Sequence, residues 1–226
     1  MKTQNPHLGH RSRIRQKFLS SAGVGFHDYE LLEILLFSAF SRCDTKPIAK
    51  KLIEKFGDIS AVINADIERL KEVEGVGEAA LAQIKLSAEI SKRILKKSLQ
   101  EKPLLNNFDA LLNFSSALLK DAPNEIFYVL FLDKKYCLIE EVKLSVGENN
   151  FVTISVKDIA RKSLLLHASA IVLLHNHPSN DLRPSNADIQ ITNEIISALQ
   201  KLEIAVVDHL IIGKTGHFSF RENGFI

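Results

Sequence analysis

The sequence predicts an α/β protein in two parts, an all-helical first part and a second part in which helices and strands interleave around a mixed sheet. Three observations carry that prediction. Between Tyr29 and Ile94 the apolar residues recur at helical spacing. From Ile126 onward, short branched and aromatic runs alternate with helical stretches. Between them Lys96 to Asn107 is polar, charged and broken by Pro103, which sets the expected domains at 1–100 and 104–226.

The first part opens on its most basic run, His10-Arg11-Ser12-Arg13-Ile14-Arg15-Gln16-Lys17-Phe18, which reads as a phosphate-reaching helix face or as a solvated arm before the first helix. Leu31, Leu32, Ile34, Leu35 and Leu36 then mark a helix over Tyr29–Phe40, and Ile48, Leu52 and Ile53 another over Pro47–Phe56. Next comes Leu70-Lys71-Glu72-Val73-Glu74-Gly75-Val76-Gly77, ahead of a helical run to Ile94. Gly75 and Gly77 let the backbone turn tightly and leave amides free at the start of the second helix, where a phosphate can be held without reading base sequence. Glu78 speaks against that use, because a carboxylate in the first turn suits the macrodipole but repels phosphate. Residues 1–100 carry 17 Lys or Arg against 12 Asp or Glu, and 101–226 carry 12 against 15. The excess of positive charge in the first part permits contact with nucleic acid without requiring it.

In the second part Phe108–Leu119 reads as a helix and Ile126–Leu132 as a central strand. Asp133-Lys134-Lys135 turns that strand into Tyr136–Ile139, an antiparallel partner. A helix over Ile159–Leu166, a strand from Ala170, a helix after Ser185 through Ile191, Ile195, Ala198 and Leu199, and a strand over Glu203–Ile212 complete the pattern. The chemistry collects where the Ala170 strand ends. His175 and His177 alternate with period two and so point to one side of extended backbone, and Asp188 follows eleven residues after His177. Two histidines and a carboxylate suit a three-ligand zinc set that leaves a position for water, while a His pair at a strand end also reads as polar surface. Ser185 and Asp188 also spell an acidic capping box, a reading compatible with a ligand facing the site. A hydrolase of this kind needs a general base, and Glu125, Glu140 and Glu141 are the carboxylates placed near the first strand pair.

His175-x-His177-Pro178, with seven residues to Ser185-x-x-Asp188, resembles the signature of the JAMM (MPN+) metalloproteases. The wording His-Asn-His-Pro-Ser, the pair Pro184-Ser185 and the later Asp208-His209-Leu210-Ile211-Ile212-Gly213 resemble the RadC, or UPF0758, family over nearly the whole chain. The resemblance implies a JAMM/MPN-like fold related to cytidine deaminases, and zinc held by His175, His177 and Asp188. It further implies a general base ahead of the first strand at Glu125, an oxyanion-stabilising Ser185, and a helix-hairpin-helix around Gly75 and Gly77. Two departures stand out. The family's acidic residue five positions before a glycine is Val142 here if Gly147 is that glycine, with Glu141 one step off. Asn180 replaces the glycine that commonly follows His-Pro-Ser, but asparagine tolerates left-handed backbone and the turn should survive. His209 is expected to be structural or to support a ligand; His7, His10, His27, His167 and His217 have no partner in the local sequence.

The implied function is a zinc-dependent peptidase or isopeptidase acting on a peptide or isopeptide. The alternatives are a DNA-binding accessory protein linked to DNA repair and a nuclease-like metal hydrolase. Nothing approaches the roughly 18 apolar residues of a membrane span, and Met1-Lys2-Thr3-Gln4-Asn5-Pro6 lacks a signal-peptide core. Cys43 and Cys137 lie far apart without metal or redox spacing and read as small packing residues. A cytoplasmic protein is expected.

Overall fold

A computed structural model describes residues 9–41, 43–120, 122–144 and 155–226, with the side chain of Leu105 excepted. Gly147 and His7 lie outside the described residues, as does the segment Met1–Pro6. The chain forms two compact units, Met1–Ile90 and Ser91–Ile226.

The first unit contains α1 (His10–Ser21), α2 (Asp28–Leu36), α3 (Lys46–Phe56), α4 (Ile59–Asn64), α5 (Ile67–Lys71) and the start of α6 (Glu78–Glu101). Leu32, Leu36, Ile48, Leu52, Val62, Leu70 and Ile84 form its core. Each such side chain stabilises the fold by roughly 1.5–3 kcal/mol relative to exposure. The basic run is not a solvated arm: it is α1 itself. The Arg11 guanidinium donates to the Phe40 and Cys43 carbonyls, each at 2.5 Å, satisfying acceptors beyond the end of α2. His10 meets the buried carboxylate of Glu33 at 2.8 Å, a partner 23 residues away that local sequence does not reveal. Cys43 is exposed, so it is not the packing residue expected.

The helical run after Gly77 continues to Glu101, past Lys96 and Lys97. The polar composition there belongs to a helix surface, with Lys97 and Glu101 paired one turn apart at 3.7 Å. Leu99 is fully buried in the core of the second unit, and Leu95 packs against it.

The second unit adds a short 3-10 turn at Leu104–Asn106, α7 (Phe108–Leu119), β1 (Phe127–Leu132), β2 (Leu138–Leu144), α8 (Val156–Leu165), β3 (Ala170–Asn176), α9 (Asn186–Gln200), β4 (Ala205–Ile212) and β5 (His217–Ser219). The sheet order is β2-β1-β3-β4-β5, antiparallel at every pair except the parallel β3 and β4. This is the mixed α/β sheet the sequence predicts. Cys137 falls in the hairpin before β2 rather than inside a strand, and is half-buried.

β3 is buried on both faces along its whole length, hence its unbroken apolar run. Val172 and Leu174 face a core that includes Leu111 and Phe114 of α7. Ile171 and Leu173 face the opposite core, with Ile159 of α8 and Ile195 and Leu199 of α9. The strand therefore ends between two helical layers, and its last residues hold polar groups that have little access to water.

Candidate metal centre

Strand alternation and one helix start assemble the site. His175 takes the α9 side of β3, as do Ile171 and Leu173, and stacks on Phe127, its neighbour across the β1–β3 ladder, at 5.7 Å between ring centres. Beyond the strand the His177 N–H donates to the Ile212 carbonyl at 3.1 Å, which keeps the backbone extended for one more residue. Both imidazoles thus share one side. Asp188 enters from the first turn of α9, where Ser185 is the N-cap.

The donor atoms converge. His175 Nε2 lies 3.0 Å from His177 Nε2 and 3.2 Å from Asp188 Oδ1, and His177 Nε2 lies 3.5 Å from Asp188 Oδ2. The Glu125 carboxylate joins them with all ligand atoms within 4.8 Å of one another. Donors bound at about 2.0–2.1 Å around a tetrahedral zinc stand about 3.3–3.4 Å apart, a spacing close to that of the three inner groups.

A chain of hydrogen bonds behind His175 fixes which way its ring nitrogens point. Thr192 Oγ1 lies 2.5 Å from the Asp188 carbonyl, an acceptor only, so its proton goes there. It must then accept from His209 Nδ1–H at 2.7 Å. Burial first, and the neighbouring His175 second, push the His209 pKa well below the ordinary histidine value, so this ring carries a single proton. His209 Nε2 therefore accepts from His175 Nδ1–H at 2.8 Å, which turns His175 Nε2 to the centre. On the other histidine, His177 Nδ1–H donates to the Asp181 carbonyl at 2.5 Å, and its Nε2 likewise faces the centre. Two imidazole lone pairs and a carboxylate meeting at about hydrogen-bond distance repel unless a cation, a metal ion or a proton, lies among them.

Burial would raise the Asp188 carboxyl, yet hydrogen bonds with His175, His177 and Ser185 hold it well below the usual carboxylate range. His177 is raised, chiefly by its hydrogen bond with Asp188 against an opposing desolvation.

Ser185 performs its cap. Its hydroxyl accepts from Asp188 N–H at 3.1 Å and donates to Asp188 Oδ2 at 2.6 Å, while its own N–H donates to the same oxygen at 2.7 Å. The capping box and the ligand position are thus one carboxylate seen from two sides. Of the three carboxylates near the first strand pair, only Glu125 is grouped with the histidines. Glu141 pairs with Leu130 in the middle of β2 and forms an ion pair with Lys96 at 2.6 Å. Glu125 is exposed, not buried.

The loop from Pro178 to Pro184 is braced against the β4–β5 turn. Asn180 adopts φ 64°, the left-handed conformation a glycine would take without strain. Its Oδ1 accepts from Lys214 N–H at 2.8 Å, and its Nδ2 donates to Thr215 Oγ1 at 3.1 Å. A cleft of about 620 Å³, lined by Glu125, His177, Ser179, Asp181, Arg183 and Ser185, opens beside the histidines. Arg183 holds both Asp181 oxygens and lowers that carboxyl to about 2.

Sequence reasoning missed Thr192 and Asn176. Asp188-x-x-x-Thr192 does carry a signal for the first, since residues four apart share a helix face.

Residues 105–225 match the family model of the RadC-like JAB domain. The chain belongs to the RadC family. A UPF0758 protein of Ruegeria pomeroyi is 38% identical over 217 residues, covering 96% of this chain and 97% of the relative. Residues 46–89 of the RadC chain match the SAM-like helix-hairpin-helix tandem. Its two hairpins turn at Gly57, φ 101°, between α3 and α4, and at Gly75, φ 90°, between α5 and α6. A side chain at Gly75 would be strained and would also press on Ile48 at 3.2 Å, whereas Gly77 has open space around it. The lysines beside this hairpin are paired: Lys51 with Glu74 at 2.7 Å and Lys55 with Glu72 at 2.6 Å. No helix among the described residues is long and apolar enough to cross a membrane.

Proposed function

We propose that this RadC-family chain is a zinc-dependent hydrolase that cuts a peptide or isopeptide bond, with His175, His177 and Asp188 as ligands. The observation that carries the reading is the convergence of three lone-pair donors 3.0–3.5 Å apart. Zinc bound there supplies a Lewis acid and a water acidic enough to lose a proton near neutral pH. Glu125, at the rim of the cleft and within 4.8 Å of the donor atoms, takes a proton and returns it to the departing amine. Ser185 holds Asp188 through its cap and can turn its hydroxyl toward a developing oxyanion once that proton leaves Asp188 Oδ2. The open cleft suits an extended chain lying across the site better than an enclosed small molecule. An exposed free thiol at Cys43 suits a reducing compartment, the cytoplasm.

Elemental analysis of protein purified without an affinity metal should give about one zinc per chain. Glu125→Gln should keep the zinc and lower kcat on a fluorogenic peptide or isopeptide by about 10²–10⁴-fold. A metal-free parent that gains no thermal stability on zinc addition would sink the reading.

A second reading, nucleic-acid contact through Gly75 and Gly77, is favoured by the match to the helix-hairpin-helix tandem. Against it, residues 46–89 hold seven Lys or Arg and eight Asp or Glu. Salt-dependent binding of the full chain to duplex DNA tests it.

A further inference from the structure

We propose that Asn176, the residue between the two histidines, is a positioning residue that fixes Glu125 relative to the metal ligands. The inference rests on the reading of Glu125 as the proton carrier. By strand alternation Asn176 points away from His175, to the α7 side, where β3 otherwise presents Val172 and Leu174. It is 2% exposed. A carboxamide in so apolar a place is unfavourable unless its hydrogen bonds are made, and here they are made to one loop.

Asn176 Oδ1 accepts from Ile126 N–H at 2.8 Å, and its Nδ2 donates to the Asn124 carbonyl at 3.1 Å, with the Ala122 carbonyl at 3.5 Å. The two shorter bonds flank Glu125 on either side. The backbone pairing of β1 with β3 ends at Phe127 opposite His175. Beyond that rung the side chain of Asn176 stands in for a peptide group, offering a carbonyl and an N–H to residues 126 and 124. The irregular segment before β1 is thereby held to the strand that carries both histidines. Because Asn176 is covalently bonded to His175 and His177, the position of Glu125 is referred to the ligands through a single residue. Valine or leucine would fill the space and pack well, but neither can hold the loop.

The test uses the full chain. In metal-free protein, Asn176→Ala should raise hydrogen exchange at the Ile126 amide by about tenfold or more. Zinc affinity should stay within about threefold of the parent, since both imidazoles and Asp188 are untouched. On a fluorogenic peptide kcat should fall about 10²-fold with KM nearly unchanged, and the same change in a Glu125→Ala background should cost less than about twofold, the non-additivity of two residues acting through one group. Asn176→Asp keeps the acceptor for Ile126 N–H and should restore protection there; it also serves if the alanine variant fails to fold. Unchanged Ile126 exchange in Asn176→Ala, or an additive double variant, would overturn the proposal. A parent chain that binds no zinc overturns the hydrolase reading and this role with it, whereas a zinc-binding parent with an unaffected Asn176→Ala variant overturns this role alone.

Discussion

The helix-hairpin-helix of the first unit and the histidine cluster of the second are both dense in charged and polar groups, but they treat them in opposite ways. Around Gly75 the lysines are neutralised in pairs, Lys51 by Glu74, Lys55 by Glu72 and Lys71 by Glu68. Around His175 the protein uses Thr192, His209 and the Asp181 carbonyl to occupy the outer nitrogens, so that Nε2 of both His175 and His177 faces Asp188. One surface satisfies its charges in pairs; the other gathers side chains that could hold a metal ion. The difference shows that a count of polar residues says little about binding, whereas the direction in which their hydrogen bonds run says much.

Removing an inner donor should break the comparison outright. His177→Ala or Asp188→Ala should lower zinc from about one per chain to a small fraction of that by elemental analysis, with the first unit still folded by circular dichroism. The outward hydrogen bonds are the next largest effect. Thr192→Val removes the acceptor that orients His209, and zinc affinity measured against a competing chelator should fall about 10–100-fold. An unchanged affinity would mean that His175 keeps its tautomer without the chain behind it.

Acidity sharpens the same point. His177 is raised above the ordinary histidine value by Asp188, and zinc must displace that proton. Affinity should therefore hold above the raised pKa and fall by roughly tenfold per pH unit as the pH drops through it. Metal-free protein should show the opposite sign. The His177–Asp188 pair contributes stability that is full below the unfolded histidine pKa of about 6.5 and is lost as pH rises through the folded value. Thermal melts of apo and zinc-loaded protein between acid and mildly alkaline pH would separate the two trends.

The smallest effect is expected in the first unit. Glu72→Gln with Glu74→Gln would release Lys55 and Lys51. If paired charge is what keeps the hairpin from DNA, the slope of log K against log salt should steepen by about 0.9 for each lysine that then meets a phosphate. A double variant that binds duplex no better than the parent would show that the Gly75 turn serves to pack α5 against α6.

Much of this molecule is legible from local pattern. Helical spacing marks α2, α3 and α7, and an unbroken apolar run marks β3, because the faces of a helix or strand are fixed by backbone periodicity alone. The same periodicity puts His175 and His177 on one side, and Ser185 and Asp188 on one helical turn. Short α4 and β5 escape it, being too brief to develop a period. The nearness of the Glu125 carboxylate to the histidines, the partnership of Asn176 with residues 50 to 54 positions earlier, and the chain from Thr192 through His209 to His175 belong to tertiary structure. Sequence determined which way each side chain leaves its own element. Which elements face one another was decided by strand order and register, set by the burial of whole faces, and no local spacing encodes that.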